Sequence, residues 1–204
     1  MALDNYSNLK TAVLAWTERP GDEAAAGIID DCVTLCEARI NKTPDLRLGD
    51  METVRELTLE DEKVALPSDF LAAKRVMVQS NPQKLLQYAE PGWYQGAFPF
   101  ASANEGCGFY TIFDGFLRAK TASTLSLLYY ASLPPLVSAG SNWLLRKAPD
   151  VYLYGTICEL LNALEGNSTQ KYLGLFGASV EALINSETFS RGGVLTMRAS
   201  MPAP

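Results

Sequence analysis

The side chains best equipped for chemistry in this 204-residue chain are four cysteines and a set of paired carboxylates. Histidine is absent. That absence removes Ser-His-Asp and Cys-His catalysis, which need an imidazole base, and the histidine ligands of most catalytic zinc sites. Cys32 and Cys36 lie four residues apart in a stretch of helical periodicity, so they share one apolar face and read as small core residues. Cys107 sits between Gly106 and Gly108 in a turn, and Cys158 falls on a later helix. No paired CxxC spacing offers a four-cysteine zinc site. The carboxylate pairs are Asp22-Glu23, Asp30-Asp31 and Asp61-Glu62. A glycosidase needs two carboxyl groups facing each other across a substrate, roughly 5 to 9.5 Å apart. Neighbours in sequence do not face each other in that way, so these pairs read as solvated surface. Neither GxxxxGK[ST] nor GxGxxG occurs, which leaves no phosphate cradle. The residues therefore predict no catalytic centre, no cofactor and no bound metal.

The other chemistry-bearing group is aromatic. Trp93, Tyr94, Phe98 and Phe100 cluster in a stretch that also holds Gly and Pro. Such rings can stack bases, but no basic residues are interleaved with them. A protein–protein contact fits better, because Trp and Tyr are favoured in interface cores. The net charge of −6, with Lys and Arg scattered, also argues against tight nucleic-acid binding, which needs a cationic patch.

The elements that must position these groups follow from periodicity. Residues 6–17 read as a short helix ended by Pro20-Gly21. Residues 22–42 read as an amphipathic helix with Ala25, Ile28, Ile29, Cys32, Leu35, Cys36 and Ile40 on its apolar side. Asp22 and Glu23 at its start and Arg39 and Lys42 at its end complement the helix dipole. From Met51 to Ala131 the pattern turns to strands: 53–59, 63–66, 73–79, and 124–131 with Leu125, Leu127 and Tyr129 on one face. Tyr110–Phe113 and Phe116–Arg118 flank Asp114-Gly115, the signature of a type I′ hairpin. Residues 91–108 read as a long surface loop. After Pro134-Pro135 helix returns. Ser141 or Asn142 can cap a turn carrying Trp143, and Pro149-Asp150 opens a longer helix with Tyr154, Ile157, Cys158, Leu161 and Leu164 on its apolar face. The last helix, capped by Ser168, turns Leu173, Phe176, Val180, Leu183 and Ile184 inward. Residues 190–204 read as an extended arm.

Helices, then strands, then helices make an α+β protein. The expected architecture is a bundle of about four helices with an inserted small antiparallel β-sheet subdomain. The expected divisions are 1–48 and 137–189 for the helical domain, 49–136 for the β-rich insertion and 190–204 for the arm. No stretch reaches the roughly 18 apolar residues needed to cross a bilayer, and the start MALDNYSNLK lacks the pattern of a signal peptide.

Three segments together carry a resemblance. They are Leu66-Pro67-Ser68-Asp69-Phe70-Leu71, then Leu127-Leu128-Tyr129-Tyr130-Ala131 with Leu133-Pro134-Pro135-Leu136, then Ser141 to Gly155 with Asn142-Trp143-Leu144-Leu145, Ala148-Pro149-Asp150 and Tyr152-Leu153-Tyr154-Gly155. In this order they resemble the head–tail adaptor (connector) proteins of tailed bacteriophages. The resemblance spans residues 5–198. It implies a non-enzymatic virion protein made in the host bacterial cytoplasm, and a homo-oligomeric ring of twelve subunits. That ring would contact the portal on one side and a tail nozzle or other tail protein on the other. DNA would pass through its lumen without specific binding, which the mild acidity suits, and no membrane is involved. The expected protein contacts are Trp93, Tyr94, Phe98, Trp143 and Tyr152, with Val194, Leu195 and Met197 as anchors of the arm. The alternatives are a tail-associated peptidoglycan hydrolase, marked by a cleft with one carboxyl of raised pKa, and another neck or tail-completion protein.

Overall fold

A computed structural model of the chain describes residues 3–80, 82–98, 108–121, 124–165 and 169–192, with no side-chain description at 165 and 189–192. The chain divides into two compact units, one of Met1–Gly49 with Leu133–Pro204 and the other of Asp50–Ser132. The protein is α+β.

The first unit is helical. Helix α1 (Tyr6–Trp16) starts where the Asn5 side chain accepts the Asn8 N–H at 2.9 Å. Helix α2 (Glu23–Lys42) starts where Asp22 accepts the N–H groups of Ala24 and Ala25. These side chains satisfy donors that the first turn cannot pair internally. Helix α2 buries Ala25, Ile29, Cys32, Val33, Cys36, Glu37 and Ile40. Leu35, expected on the buried face, is 56% exposed; the inward stripe turns through Val33 and Glu37 instead.

The sequence-distant return strengthens this unit. The short helices α4 (Leu136–Ala139) and α5 (Trp143–Lys147) lead into α6 (Pro149–Glu165) and α7 (Gln170–Gly192). Helix α6 packs against α1, α2, α5 and α7. Buried positions Val151, Tyr152, Leu153, Thr156, Ile157, Cys158, Leu160 and Leu161 surround its axis. A helix apolar on all sides is a central one, so the single face expected for it understates its burial. Gly155 lets α2 and α7 come close. A Cβ there would fall well inside contact distance of Cys36 Sγ and 3.0 Å from Phe176 Cε2.

The second unit is built on a seven-stranded sheet. Its strands are β1 (Glu52–Thr58), β2 (Lys63–Ala65), β3 (Phe70–Val78), β4 (Lys84–Tyr88), β5 (Phe109–Phe113), β6 (Phe116–Ala119) and β7 (Thr124–Ala131), in the order β1-β7-β3-β4-β5-β6-β2. This departs from the expected small antiparallel sheet in size and in one pairing, since β4 and β5 run parallel. Parallel neighbours cannot be joined by a tight turn and need a crossover. That crossover carries helix α3 (Pro91–Ala97), where a structureless loop was expected. Pro91 at the first helical position and the Glu90 carboxylate, which accepts the Trp93 N–H at 2.9 Å, start it.

Two tight turns complete this unit. Asp114 and Gly115 have φ of 54° and 74°, the left-handed pair of a type I′ turn, as expected. Asp61 and Glu62 have φ of 50° and 63° between Glu60 and Lys63, whose main chains exchange both hydrogen bonds. This second reversal has no glycine to announce it. The sheet core gathers Leu57, Val76, Val78, Leu86, Tyr110, Leu117, Leu125, Leu127 and Tyr129.

Candidate functional sites

In the helical unit the chemistry-bearing groups form a buried polar chain. Glu37, 6% exposed, accepts two hydrogen bonds on Oε1: from Leu136 N–H at 2.8 Å and from Tyr152 O–H at 2.8 Å. Asn142 Nδ2 donates to Tyr152 Oη at 2.6 Å and to the Pro134 carbonyl at 3.0 Å. Asn142 Oδ1 accepts the Leu145 N–H at 3.0 Å and so caps α5. Asn41 Oδ1 in turn accepts the Leu133 N–H at 3.1 Å. Burial holds the Glu37 carboxyl above its usual range, against the lowering effect of its two donors. Burial likewise pushes the Tyr152 hydroxyl far up. This arrangement locks the return segment 133–145 onto α2 and α6. Its raised carboxyl is enclosed by these partners and by the helical core.

Burial acts on the cysteines of this unit in the same direction. Cys32, Cys36 and Cys158 are free and buried. Burial pushes the Cys32 thiol up to about 11 and raises Cys36 and Cys158 as well, and a thiol held protonated is a poor nucleophile or ligand. Among the described residues no cluster of three or more His, Cys, Asp or Glu side chains is arranged to hold a metal ion. No helix among them is long and apolar enough to cross a membrane.

In the sheet unit a cavity of about 280 Å³ is lined by Asp61, Glu62, Tyr94, Gln95, Phe98, Phe113, Arg118 and Lys120. Helix α3 and strand β5 supply an aromatic cluster beside it. Trp93, Phe98 and Phe109 meet pairwise at 5.3 to 6.2 Å between ring centroids, and Tyr94 meets Phe98 at 5.4 Å. The Arg118 guanidinium lies 4.2 Å from the Phe113 ring centroid, within range of a cation–π attraction. Lys120 pairs with Glu62 across the turn.

The residues expected to make protein contacts divide by burial. Trp93 is 50% exposed and Phe98 partly exposed, so both present surface. Tyr94 is buried and lines the cavity. Trp143 is half-buried against the helical core. Tyr152 departs from its expected position. It was expected to turn away from the apolar face toward a partner, but its side chain is fully buried and its hydroxyl belongs to the Glu37 chain. The cause is the central position of α6, which leaves its polar-looking side no solvent to face. Val194, Leu195, Met197, Phe100 and Cys107 lie outside the described residues. Asn142 caps the Trp143 turn, one of the two caps expected there, whereas Glu37 and Arg118 were not anticipated as organising groups. A charged residue inside an apolar helical stripe, as at Glu37, is the signal that could have identified the first.

The family model described as SU10 adaptor protein matches residues 4–198. No curated protein matches the chain.

Proposed function

This chain belongs to the SU10 adaptor protein family, a family of phage adaptor proteins, and from that membership we propose that it is a structural virion protein forming a ring between the portal and the tail or its nozzle. Twelve copies close the ring, and DNA passes through its lumen during ejection. The family match over residues 4–198 carries this reading. The net charge of −6 supports the lumen assignment, since an acidic surface repels passing phosphates rather than gripping them.

In this reading residues 1–48 and 137–189 are one helical domain, 49–136 an insertion, and 190–204, whose first three residues are the end of α7, an arm that docks on the portal or a neighbouring subunit through Val194, Leu195 and Met197. Exposed Trp93, with Phe98 and Trp143, supplies aromatic contact surface, as aromatic residues do in interface cores. The protein acts without catalysis. Glu37, a carboxyl with a raised pKa, is enclosed in a core hydrogen-bond network, which does not favour the hydrolase alternative.

The test is assembly. The purified chain mixed with portal dodecamers should elute with them as one larger species, and the same mixture lacking residues 190–204 should elute as two. A chain that stays monomeric beside portal, and is absent from purified virions, contradicts the reading.

A further inference from the structure

The cavity of the sheet unit holds a cation, Arg118, that makes no ion pair among the described residues, although Asp61 and Glu62 also stand at the lining. Arg118 is stacked over Phe113, and its Nε is buried without a hydrogen-bond acceptor. No carboxylate pairs with it among the described residues. Lys120, the other cation of the lining, is neutralised by Glu62. Tyr94, 5% exposed, also lines the cavity. Its hydroxyl faces the Lys120 main chain but makes no full hydrogen bond. Buried donors and acceptors in native proteins are nearly always paired, so two unpaired groups at one cavity point to a missing partner.

Stacking on an aromatic ring leaves the planar N–H edge of a guanidinium free. That edge matches the two oxygens of a carboxylate. We propose that this cavity is a binding site for a single carboxylate carried on another protein chain, an Asp or Glu side chain. Arg118 receives it through its Nε–H edge, with the Tyr94 hydroxyl as a further donor and Phe98 and Phe113 as apolar walls. The rim discriminates against nucleic acid. Asp61 and Glu62 stand at the lining, and a strand brings a row of phosphates past them, whereas an acidic side chain brings one charge. The chemistry of the site stands without the adaptor reading, and only the choice of a protein as carrier rests on it.

The Arg118 Nε–H resonance of the full-length protein reports the event directly by nitrogen-15 NMR. Titration with N-acetyl-glutamate amide should give a saturable shift of this resonance with Kd on the order of 1–10 mM, a free energy of a few kcal/mol suited to one side chain. N-acetyl-glutamine amide should give none. Arg118→Lys, which keeps the charge but loses the fork, should abolish saturable binding, read on the Tyr94 and Phe113 resonances. Tyr94→Phe, which keeps the ring, should weaken it about fivefold, and this variant decides the matter if Arg118→Lys does not fold. The proposal is overturned if no saturable shift occurs, if the glutamine compound binds as well, or if inorganic phosphate binds more tightly than the carboxylate. None of these outcomes depends on assembly with portal, so failure of the site and failure of the adaptor reading remain separable.

Discussion

At the residue scale the fold depends on a few buried groups whose partners are fixed. Glu37 accepts two hydrogen bonds on one oxygen, and Gln at this position keeps that acceptor without the buried charge. Glu37→Ala leaves the Tyr152 hydroxyl and the Leu136 N–H unpaired. It should cost about 2–4 kcal/mol in denaturant unfolding, while Glu37→Gln should stay within about 1 kcal/mol of the parent. The pH dependence has a definite sign. Burial raises the Glu37 carboxyl above its unfolded value, so the native state binds this proton more tightly than the unfolded chain. Its contribution is present below the unfolded pKa and is lost as pH rises through the raised native one. Stability of the parent relative to Glu37→Gln should therefore fall as pH climbs from acid toward neutral. A constant difference across that range, measured by urea midpoints, would show that Glu37 is not desolvated. Gly155 is the second such position. Gly155→Ala should lower stability by about 1 kcal/mol, the overpacking cost less the helix-propensity gain. Cys36→Ala should relieve part of that loss in a non-additive way, because Cys36 Sγ is the atom the new methyl meets first.

At the element scale the turns and caps decide which strands meet. Gly115 sits at φ 74°, where a Cβ strains the backbone, so Gly115→Ala should cost about 1–2 kcal/mol in thermal or chemical unfolding. No loss would mean that the hairpin is not held in a type I′ turn. This hairpin was legible because Asp-Gly between apolar runs has few other solutions. The reversal at Asp61-Glu62 was not, since acidic residues at positive φ carry no such signature and read as solvated surface. Helix α3 was also missed. Seven residues rich in Gly and aromatics give little periodicity, and only the parallel pairing of β4 with β5 makes the crossover necessary. The long helices are legible because apolar residues recur over several turns, although α7 runs on to Gly192, into the stretch that reads as an extended arm. Their inward faces were read less well. At Leu35 and Tyr152 burial was decided by neighbours far away in sequence, which a single helix's periodicity cannot show.

At the scale of the whole molecule, the residues expected to mark the adaptor now divide by role. The motif Asn142–Tyr152, which carried the resemblance in the sequence, is a folding device: Asn142 caps α5 and holds the Tyr152 hydroxyl against Glu37. The contact surface in the proposal is instead the exposed ring of Trp93 with Phe98, the half-buried Trp143, and the arm that follows α7. The site at Arg118 was invisible in the sequence, because an isolated arginine gains meaning only from the cavity around it. The most direct test of the central claim is a cryo-EM map of the virion neck. The expected map shows a ring directly beneath the portal into which the helical and sheet units of this chain both fit, repeated around the DNA channel. A neck in which no density accommodates these units, or a virion in which they lie away from the portal–tail junction, would contradict it.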